Sequence, residues 1–107
     1  QSCKNLNLKH HEKGTVVTIE GPRFSTKAES FMFKQWGGDV INMSTAPECI
    51  LANELSIPYA AVAMSTDYDC WKDDEEPVTW EKVIEVFNKN SQNVINLLLD
   101  VVKNGRN

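Results

Sequence analysis

The feature that most limits the possible folds is a repeated order of short apolar segments and helix-start signals. Residues 15–20 form a β-branched segment between glycines, which predicts a strand. Thr26 and Glu29 then have the spacing of a capping box, so a helix is predicted to begin there. Residues 37–38 are both glycine, and we expect the helix to end at this pair.

The same order repeats further along the chain. Residues 39–43 predict a second strand, and Thr45 and Glu48 again have the capping-box spacing, with a proline in the first turn. This second helix is expected to break at residues 56–58. Residues 59–64 are nearly all apolar and predict a third strand, covered on both faces.

A long helix is predicted at the C-terminal end. Residues 73–77 are predicted to form a polar loop, and Thr79 is placed to cap the helix that follows. Apolar side chains at helical spacing predict one buried stripe along this helix. The stripe consists of Trp80, Val83, Ile84, Phe87, Val94, Leu98, Val101 and Val102.

These signals together predict an α/β fold with a mixed, largely parallel sheet flanked by helices. The segment at residues 39–64 is expected to form a β-α-β unit with a right-handed crossover. A chain of 107 residues is long enough for at most one small domain.

The composition excludes several functional classes. The net charge of −4 provides no electrostatic footprint for nucleic acid, and no apolar run approaches the ~20 residues that span a bilayer. Cys3, Cys49 and Cys70 lack a metal-binding spacing, so we expect a reducing cytosol and neither a disulfide framework nor a zinc site. His10 and His11 lie in a charged segment and are expected on a solvated surface.

The carboxyl ends of the predicted strands are candidates for a binding site, because ligands of parallel α/β sheets bind there. These ends lie at residues 20–24, 42–45 and 66–69. Ser44 and Thr45 either cap the following helix or place hydroxyls on a phosphate at its N-terminus. Phe24 either stacks on a planar ligand or fills the core, and Met43 is also a candidate for core packing.

Two carboxylates, Asp67 and Asp69, follow the third predicted strand. One interpretation is that they cap a turn. The other is that they bind a heterocycle together, one carboxyl donating a proton to a ring nitrogen and the other accepting a hydrogen bond from an exocyclic amine. The spacing alone leaves both interpretations open.

Three motifs together carry a resemblance to a known family: EGPRF at residues 20–24, GGDVINMST at residues 37–45 and TDYDCW at residues 66–71. From about residue 14 to residue 102, the chain resembles the 5'-methylthioadenosine phosphorylases of the trimeric purine nucleoside phosphorylase group. The resemblance implies a nucleoside phosphorylase-like three-layer fold. Residues 1–107 would represent the C-terminal half of its single α/β domain, so we expect Gln1 to follow further chain that supplies the phosphate loop.

The resemblance also implies an activity. Enzymes of this family cleave 5'-methylthioadenosine with phosphate, which gives adenine and 5-methylthioribose 1-phosphate. Asp69 corresponds to the residue that hydrogen-bonds or protonates the purine N7, and Asp67 corresponds to the acceptor for the 6-amino group. The resemblance thus makes these two carboxylates the catalytic pair.

Five more positions correspond to family residues that bind the substrates. Phe24 corresponds to the ring that packs on the base, and Ile41 and Asn42 lie in the motif strand beside it. Met43 corresponds to the residue under the ribose. Ser44 stands where the family usually carries a threonine hydroxyl on phosphate, a change that should preserve the hydrogen bond.

Val83 and Ile84 of the predicted final helix correspond to positions that line the methylthio pocket. Trp80 departs from the family, which has a smaller apolar residue near that position. This departure puts the size of the pocket in doubt, unless Trp80 faces the core.

The resemblance further implies inorganic phosphate as a co-substrate, with no cofactor and no metal. Nucleoside and phosphate are the expected partners, without nucleic acid or membrane. The family forms homotrimers in which a neighbour closes the 5'-pocket, so a homotrimer is expected. A cytoplasmic location is expected, with the nucleus as an additional compartment.

Three other functions stay open, of which a nucleosidase that uses water instead of phosphate is the least favoured. Phosphorylases of 6-oxopurines have similar motifs, but usually carry Asn at the position of Asp67 and Glu at the position of Ser25. An unpaired Asp facing a 6-oxo group would be costly, which favours a 6-aminopurine. A catalytically silent nucleoside-binding fragment is the second alternative, because these residues contain no phosphate loop.

Overall fold

The computed structural model describes residues 1–72 and 79–105 of the chain. Its helices and strands are α1 (Ser2–Asn5), β1 (Val16–Thr18), α2 (Lys27–Gln35), β2 (Val40–Asn42), α3 (Thr45–Glu54) and α4 (Trp80–Asn104). The described chain divides into two compact units, one with α1 and α4 and the other with β1, α2, β2, α3 and the segment up to residue 72. The polar loop predicted at residues 73–77 lies outside the described residues.

The two strands pair in parallel, with Val16 opposite Val40 and Thr18 opposite Asn42. The ladder continues past the end of β1, where the Ile19 amide donates to the Asn42 carbonyl at 2.8 Å. Because α2 connects the strands, this part of the chain is a β-α-β unit. The predicted α/β class with parallel strands is therefore confirmed here.

Helix α2 begins and ends where the sequence predicts. The Glu29 amide donates to Thr26 Oγ1 at 3.3 Å, and the Thr26 amide donates to the Glu29 carboxylate at 2.7 Å, which completes the capping box. Gly37 follows the helix with a φ of 80°, a left-handed conformation that favours glycine. Ser30 and Phe33 are buried at 1% and 8% exposure, so this helix is anchored in its unit.

The third predicted strand does not form. Residues 59–64 make no strand pairing in the described chain, and most of their side chains are exposed, Val62 over 55% of its surface. This segment borders a groove of about 440 Å³ that Val16, Ile41 and Asn42 of the strands also line. A strand requires backbone hydrogen bonds to a neighbouring strand, and residues 59–64 border the groove without making such hydrogen bonds. The prediction of a β-α-β unit at residues 39–64 is therefore wrong.

Helix α4 is capped as predicted, since the Lys82 amide donates to Thr79 Oγ1 at 3.3 Å. Its buried stripe was predicted less well. Leu97 is the most buried side chain at 7% exposure, whereas Trp80 and Val102 are 70% and 65% exposed. The helix contacts α1, which sequence patterning missed because four residues contain no periodic signal. Such a short helix covers only part of a 25-residue partner, so most of the predicted stripe is exposed.

Three further properties concern the described residues. In residues 1–72 and 79–105, no helix has both the length and the apolar character needed to cross a membrane. The same residues contain no group of three or more His, Cys, Asp or Glu side chains arranged to bind a metal ion. Cys3, Cys49 and Cys70 are free thiols.

Candidate active site

The segments that follow the two strands leave the sheet at one edge. Because β1 and β2 are parallel and in register, the chain after Thr18 and the chain after Asn42 emerge side by side. They also touch, since a Cβ at Gly21 would lie 2.7 Å from Met43 Sδ. Gly21 has a φ of 71°, which also favours glycine. The first two predicted segments therefore meet at Gly21 and Met43.

Alanine at Gly21 tests this contact. We expect Gly21→Ala to destabilise the protein by about 1–2 kcal/mol, because alanine is strained at positive φ, and to displace the Met43 side chain. Gly37→Ala is the matched control: its φ is 80° and no atom lies within 4 Å of the added carbon. Thermal unfolding should give similar losses for both variants, while only Gly21→Ala should shift the Met43 methyl resonance. An unmoved resonance would contradict the contact.

The third predicted segment joins the first through Cys70 and Trp71. Cys70 Sγ donates to the Ser25 carbonyl at 3.4 Å, and Lys34 Nζ of α2 lies 3.4 Å from the centroid of the Trp71 ring. Tyr68 packs edge-on against Trp71, with ring centroids 6.0 Å apart. Residues 70 and 71 therefore contact the loop after β1 and helix α2. Asp67 and Asp69 are not among the residues that line the groove at Ile41 and Asn42.

The two candidate carboxylates lie within this third segment. Thr66 Oγ1 donates to Asp67, and the Lys72 amide donates to the backbone carbonyl of Asp69 at 3.2 Å, which closes a turn. Asp69 Oδ2 is shielded from solvent and has no hydrogen-bond partner in the described part of the chain. A shielded carboxylate oxygen without a partner is costly, so a ligand that hydrogen-bonds to it would relieve this cost.

Thr18 of β1 caps the N-terminus of α3, so the prediction of a capping box at Thr45 and Glu48 is wrong. The Ala46 amide donates to Thr18 Oγ1 at 3.1 Å, and Thr18 Oγ1 donates to Asn42 Oδ1 at 3.0 Å. Glu48 does not return to the helix start, because its carboxylate accepts the Tyr59 hydroxyl at 2.6 Å. That hydrogen bond raises the pKa of Tyr59 above its ordinary value.

Ser44 occupies the N-cap position of α3, but its side chain makes no capping hydrogen bond. The interpretation that Ser44 serves as a helix cap is therefore wrong. Thr45 also does not cap α3 as predicted. It is the first residue of the helix, and its hydroxyl accepts a hydrogen bond from the Asn42 side-chain amide. The Ser44 hydroxyl thus has no capping role at a helix N-terminus, the kind of position that favours anions.

A pair of substitutions separates capping from ligand binding at this helix. Thr18→Val should lower the free energy of unfolding by about 1 kcal/mol, because it removes the hydroxyl that accepts the Ala46 amide. Ser44→Ala should change the same quantity by less than about 0.5 kcal/mol. Chemical denaturation measures both values. A loss for Ser44→Ala as large as that for Thr18→Val would show that Ser44 is the cap.

The interpretation of Phe24 and Met43 as core residues is wrong. Phe24 is 71% exposed and Met43 is 38% exposed. Ile41 and Asn42 are half-buried in β2 and line the groove of about 440 Å³ together with Ser44. These five side chains all belong to the unit that contains the sheet.

Val83 and Ile84 lie near the start of α4, in the other compact unit. Val83 is half-buried and Ile84 is 40% exposed. Their place in a methylthio pocket stays a prediction. Trp80, the departure from the family, does not face the core, because 70% of its surface is exposed.

Sequence reasoning used Glu29 only as a helix-start residue and missed Arg23. Arg23 Nη1 and Nη2 donate to Glu29 Oε2 and Oε1, both at 2.7 Å. Arg23 Nη1 also donates to the carbonyl of Phe24 at 3.0 Å. An arginine six residues before its acid follows no helical or strand spacing, so the pair of opposite charges around the N-cap was the only available signal.

The Glu29 carboxylate titrates far from its ordinary range. Hydrogen bonds from the Arg23 side chain, followed by those from Thr26, hold the pKa of Glu29 well below its usual 4.5. The same interaction raises the pKa of Arg23. Because the pKa of Glu29 is depressed in the folded state, its contribution to stability is present above pH 4.5 and is lost as the pH falls toward the folded pKa.

Residues 1–103 match the family model of the phosphorylase superfamily. The chain belongs to this superfamily. It is 54% identical over 100 residues to S-methyl-5'-thioadenosine phosphorylase of Xenopus tropicalis, an alignment that covers 94% of the chain and 36% of that relative. The protein of the same name from Ciona intestinalis is 53% identical over 102 residues, covering 95% and 36% of the two chains. This phosphorylase superfamily member thus spans about a third of the relatives' length.

Solved structures of adenosine/methylthioadenosine phosphorylase from Schistosoma mansoni have the same fold. A double mutant in complex with adenine aligns with a TM-score of 0.80 at 47% identity, covering 87% of this chain and 33% of that one. A single mutant in complex with methylthioadenosine aligns with a TM-score of 0.75 at 46% identity, covering 84% and 30% of the two chains. The resemblance to this family and the predicted fold class are confirmed for this member of the phosphorylase superfamily.

Proposed function

We propose that this chain carries the purine-binding part of an enzyme that cleaves 5'-methylthioadenosine with phosphate to adenine and 5-methylthioribose 1-phosphate. The observation that carries the proposal is the shielded, unpartnered Oδ2 of Asp69, which lies in the motif segment that contacts the loop after β1 through Cys70. The similarity to phosphorylases named for methylthioadenosine, and to structures bound to adenine and methylthioadenosine, supports this substrate.

The proposed chemistry depends on negative charge that builds on the purine as the glycosidic bond breaks. Asp69 hydrogen-bonds or protonates N7 and thereby stabilises the leaving group. Asp67 accepts a hydrogen bond from the 6-amino group. The Thr66 hydroxyl, which donates to the Asp67 carboxylate, orients that acceptor.

The other proposed contacts surround the nucleoside. Phe24 packs on the base, and its high exposure leaves the ring accessible to a ligand. Ile41 and Asn42, which line the groove of about 440 Å³, contact the base, and Met43 lies under the ribose. Ser44 hydrogen-bonds to phosphate, which agrees with a hydroxyl that makes no capping bond.

The remaining assignments complete the proposal. Val83 and Ile84 contact the 5'-methylthio group. Inorganic phosphate is the co-substrate, without a cofactor or a metal. The protein works as a homotrimer in the cytoplasm, and in the nucleus as an additional compartment. Its role is purine and methionine salvage.

The 6-oxopurine phosphorylase and the silent fragment remain as alternatives. Asp67 argues against the first, because a carboxylate facing a 6-oxo group repels it. The chain spans about a third of the relatives' length, which favours the silent fragment for these residues taken alone. Activity measurements separate the three.

The test is adenine release from 5'-methylthioadenosine by the purified protein, with and without phosphate, beside an inosine control. Release that requires phosphate, with little turnover of inosine, is the expected result. Faster turnover of inosine would identify a 6-oxopurine enzyme. Turnover of neither nucleoside, together with binding of adenine, would identify a silent binding module.

A further inference from the structure

The position of the Phe24 ring is not controlled by packing. The side chain is 71% exposed, so few neighbouring atoms restrict it. A ring that packs on a ligand binds more tightly when its position is set beforehand, because less conformational freedom is lost on binding. The backbone at Phe24 is the remaining point at which the fold can control the ring.

That backbone is held by Arg23. Arg23 Nη1 donates to the Phe24 carbonyl at 3.0 Å and at the same time to Glu29 Oε2 at 2.7 Å. Arg23 Nη2 donates to Glu29 Oε1, also at 2.7 Å, so the guanidinium is bound through two parallel hydrogen bonds. Two such bonds fix the plane of the guanidinium as well as its distance from the carboxylate.

The Glu29 carboxylate is in turn fixed at the N-terminus of α2. Its Oε2 accepts the Thr26 amide at 2.7 Å and the Thr26 hydroxyl at 2.8 Å. The buried side chains of Ser30 and Phe33 anchor the same helix in its unit. The hydrogen bonds therefore form one connected path from the N-terminus of α2, through Glu29 and Arg23, to the Phe24 carbonyl.

Stability alone does not account for this arrangement. The Arg23 and Glu29 side chains are 63% and 32% exposed, and ion pairs at such sites contribute little to stability. The capping box requires only Thr26 and an acceptor at Glu29, so α2 does not need Arg23. What Arg23 adds is a defined geometry for the backbone at Phe24.

We propose that Glu29 is a positioning residue for the purine site, which acts through Arg23 to hold the backbone of Phe24 where its ring packs on the base. This inference rests on the proposed function. It assigns to the Arg23–Glu29 pair an effect on nucleoside binding that is separate from the helix cap.

Glu29→Gln tests the proposal, because glutamine keeps the capping-box acceptor but loses the charge and the paired hydrogen bonds to Arg23. We expect the KM for 5'-methylthioadenosine to rise about tenfold, with kcat and the KM for phosphate changed less than about twofold. Arg23→Met should raise the nucleoside KM by a similar factor. The double variant should raise it no further, because both residues act on Phe24 through one path.

Thr26→Ala is the structural control: it removes the capping hydroxyl and its hydrogen bond to Glu29, but it keeps the hydrogen bond from the Thr26 amide and both hydrogen bonds from Arg23 to Glu29. We expect a lower melting temperature and an unchanged nucleoside KM. A nucleoside KM that rises equally in Thr26→Ala and Glu29→Gln would overturn the proposal, because the effect would then follow helix stability. An unchanged KM in Glu29→Gln would overturn it as well.

Calorimetric titration of wild-type protein with adenine separates this inference from the proposed function. If the wild type neither binds adenine nor cleaves 5'-methylthioadenosine, the proposed function fails and the inference fails with it. If the wild type does both and Glu29→Gln binds adenine equally well, only the positioning role is overturned. Weaker adenine binding by Glu29→Gln, with wild-type binding by Thr26→Ala at a comparable loss of melting temperature, supports the positioning role.

Discussion

Asp69→Asn is expected to slow the phosphate-dependent release of adenine by a factor of roughly 10² to 10⁴, the range usually lost with a general acid. The amide keeps the size of the side chain, so the turn closed by the Lys72 amide should be retained. The amide is a far weaker acid than a carboxyl, and charge on the departing purine is then less stabilised. Single-turnover rates with 5'-methylthioadenosine at saturating phosphate measure the effect.

Asp100→Asn is the matched control for this variant. Asp100 of α4 also has a shielded carboxylate oxygen without a partner in the described residues, but it is not part of the proposed site. The same chemical change there should leave the rate within about twofold of the wild type. A wild-type rate for Asp69→Asn would remove Asp69 from the mechanism.

Asp67→Asn is expected to change the preference for the purine. The ratio of kcat/KM for 5'-methylthioadenosine to that for inosine should fall by about 10² or more, because the amide can donate to a 6-oxo group that a carboxylate repels. The change should appear mainly as a gain of inosine cleavage. Parallel progress curves with both nucleosides provide the two values.

Asp67→Ala shows whether a changed preference comes from the hydrogen-bond donor that asparagine adds or only from the loss of the carboxylate acceptor. This variant should lose activity toward 5'-methylthioadenosine without gaining activity toward inosine, because alanine offers no hydrogen bond to either purine. If Asp67→Asn and Asp67→Ala give the same preference, Asp67 does not recognise the 6-position.

Local signals predicted the first part of the fold well. The spacing of Thr26 and Glu29 identified the start of α2, and Gly37 marked its end. Thr79 identified the start of α4. Each of these features depends on residues within a few positions of one another, so the sequence itself contains the interaction.

Strand pairing and side-chain burial were predicted less well, because both depend on residues that are distant in the sequence and close together in the fold. Residues 59–64 have the composition of a buried strand, yet they border a groove without pairing. The spacing of Thr45 and Glu48 matched a capping box, but a hydroxyl from β1 caps α3 instead. The strength of a local pattern does not show which distant group competes for the same hydrogen bond.

The candidate site shows the same division between features that the sequence predicted and features that only the structure showed. The sequence alone, through three short motifs, was sufficient to single out Asp67, Asp69 and Phe24 as site candidates and to indicate the family to which the chain belongs. Only the tertiary structure placed Gly21 against Met43 and Cys70 against Ser25. It also left Asp69 Oδ2 without a partner and joined Arg23 to Glu29. The physical reason is that residue types and short spacings can be read directly from the sequence, whereas contacts between separate loops exist only in the folded chain. The parallel sheet brings together the segments after β1 and β2, and the contacts of Cys70 and Trp71 bring the third segment to the loop after β1 and to α2.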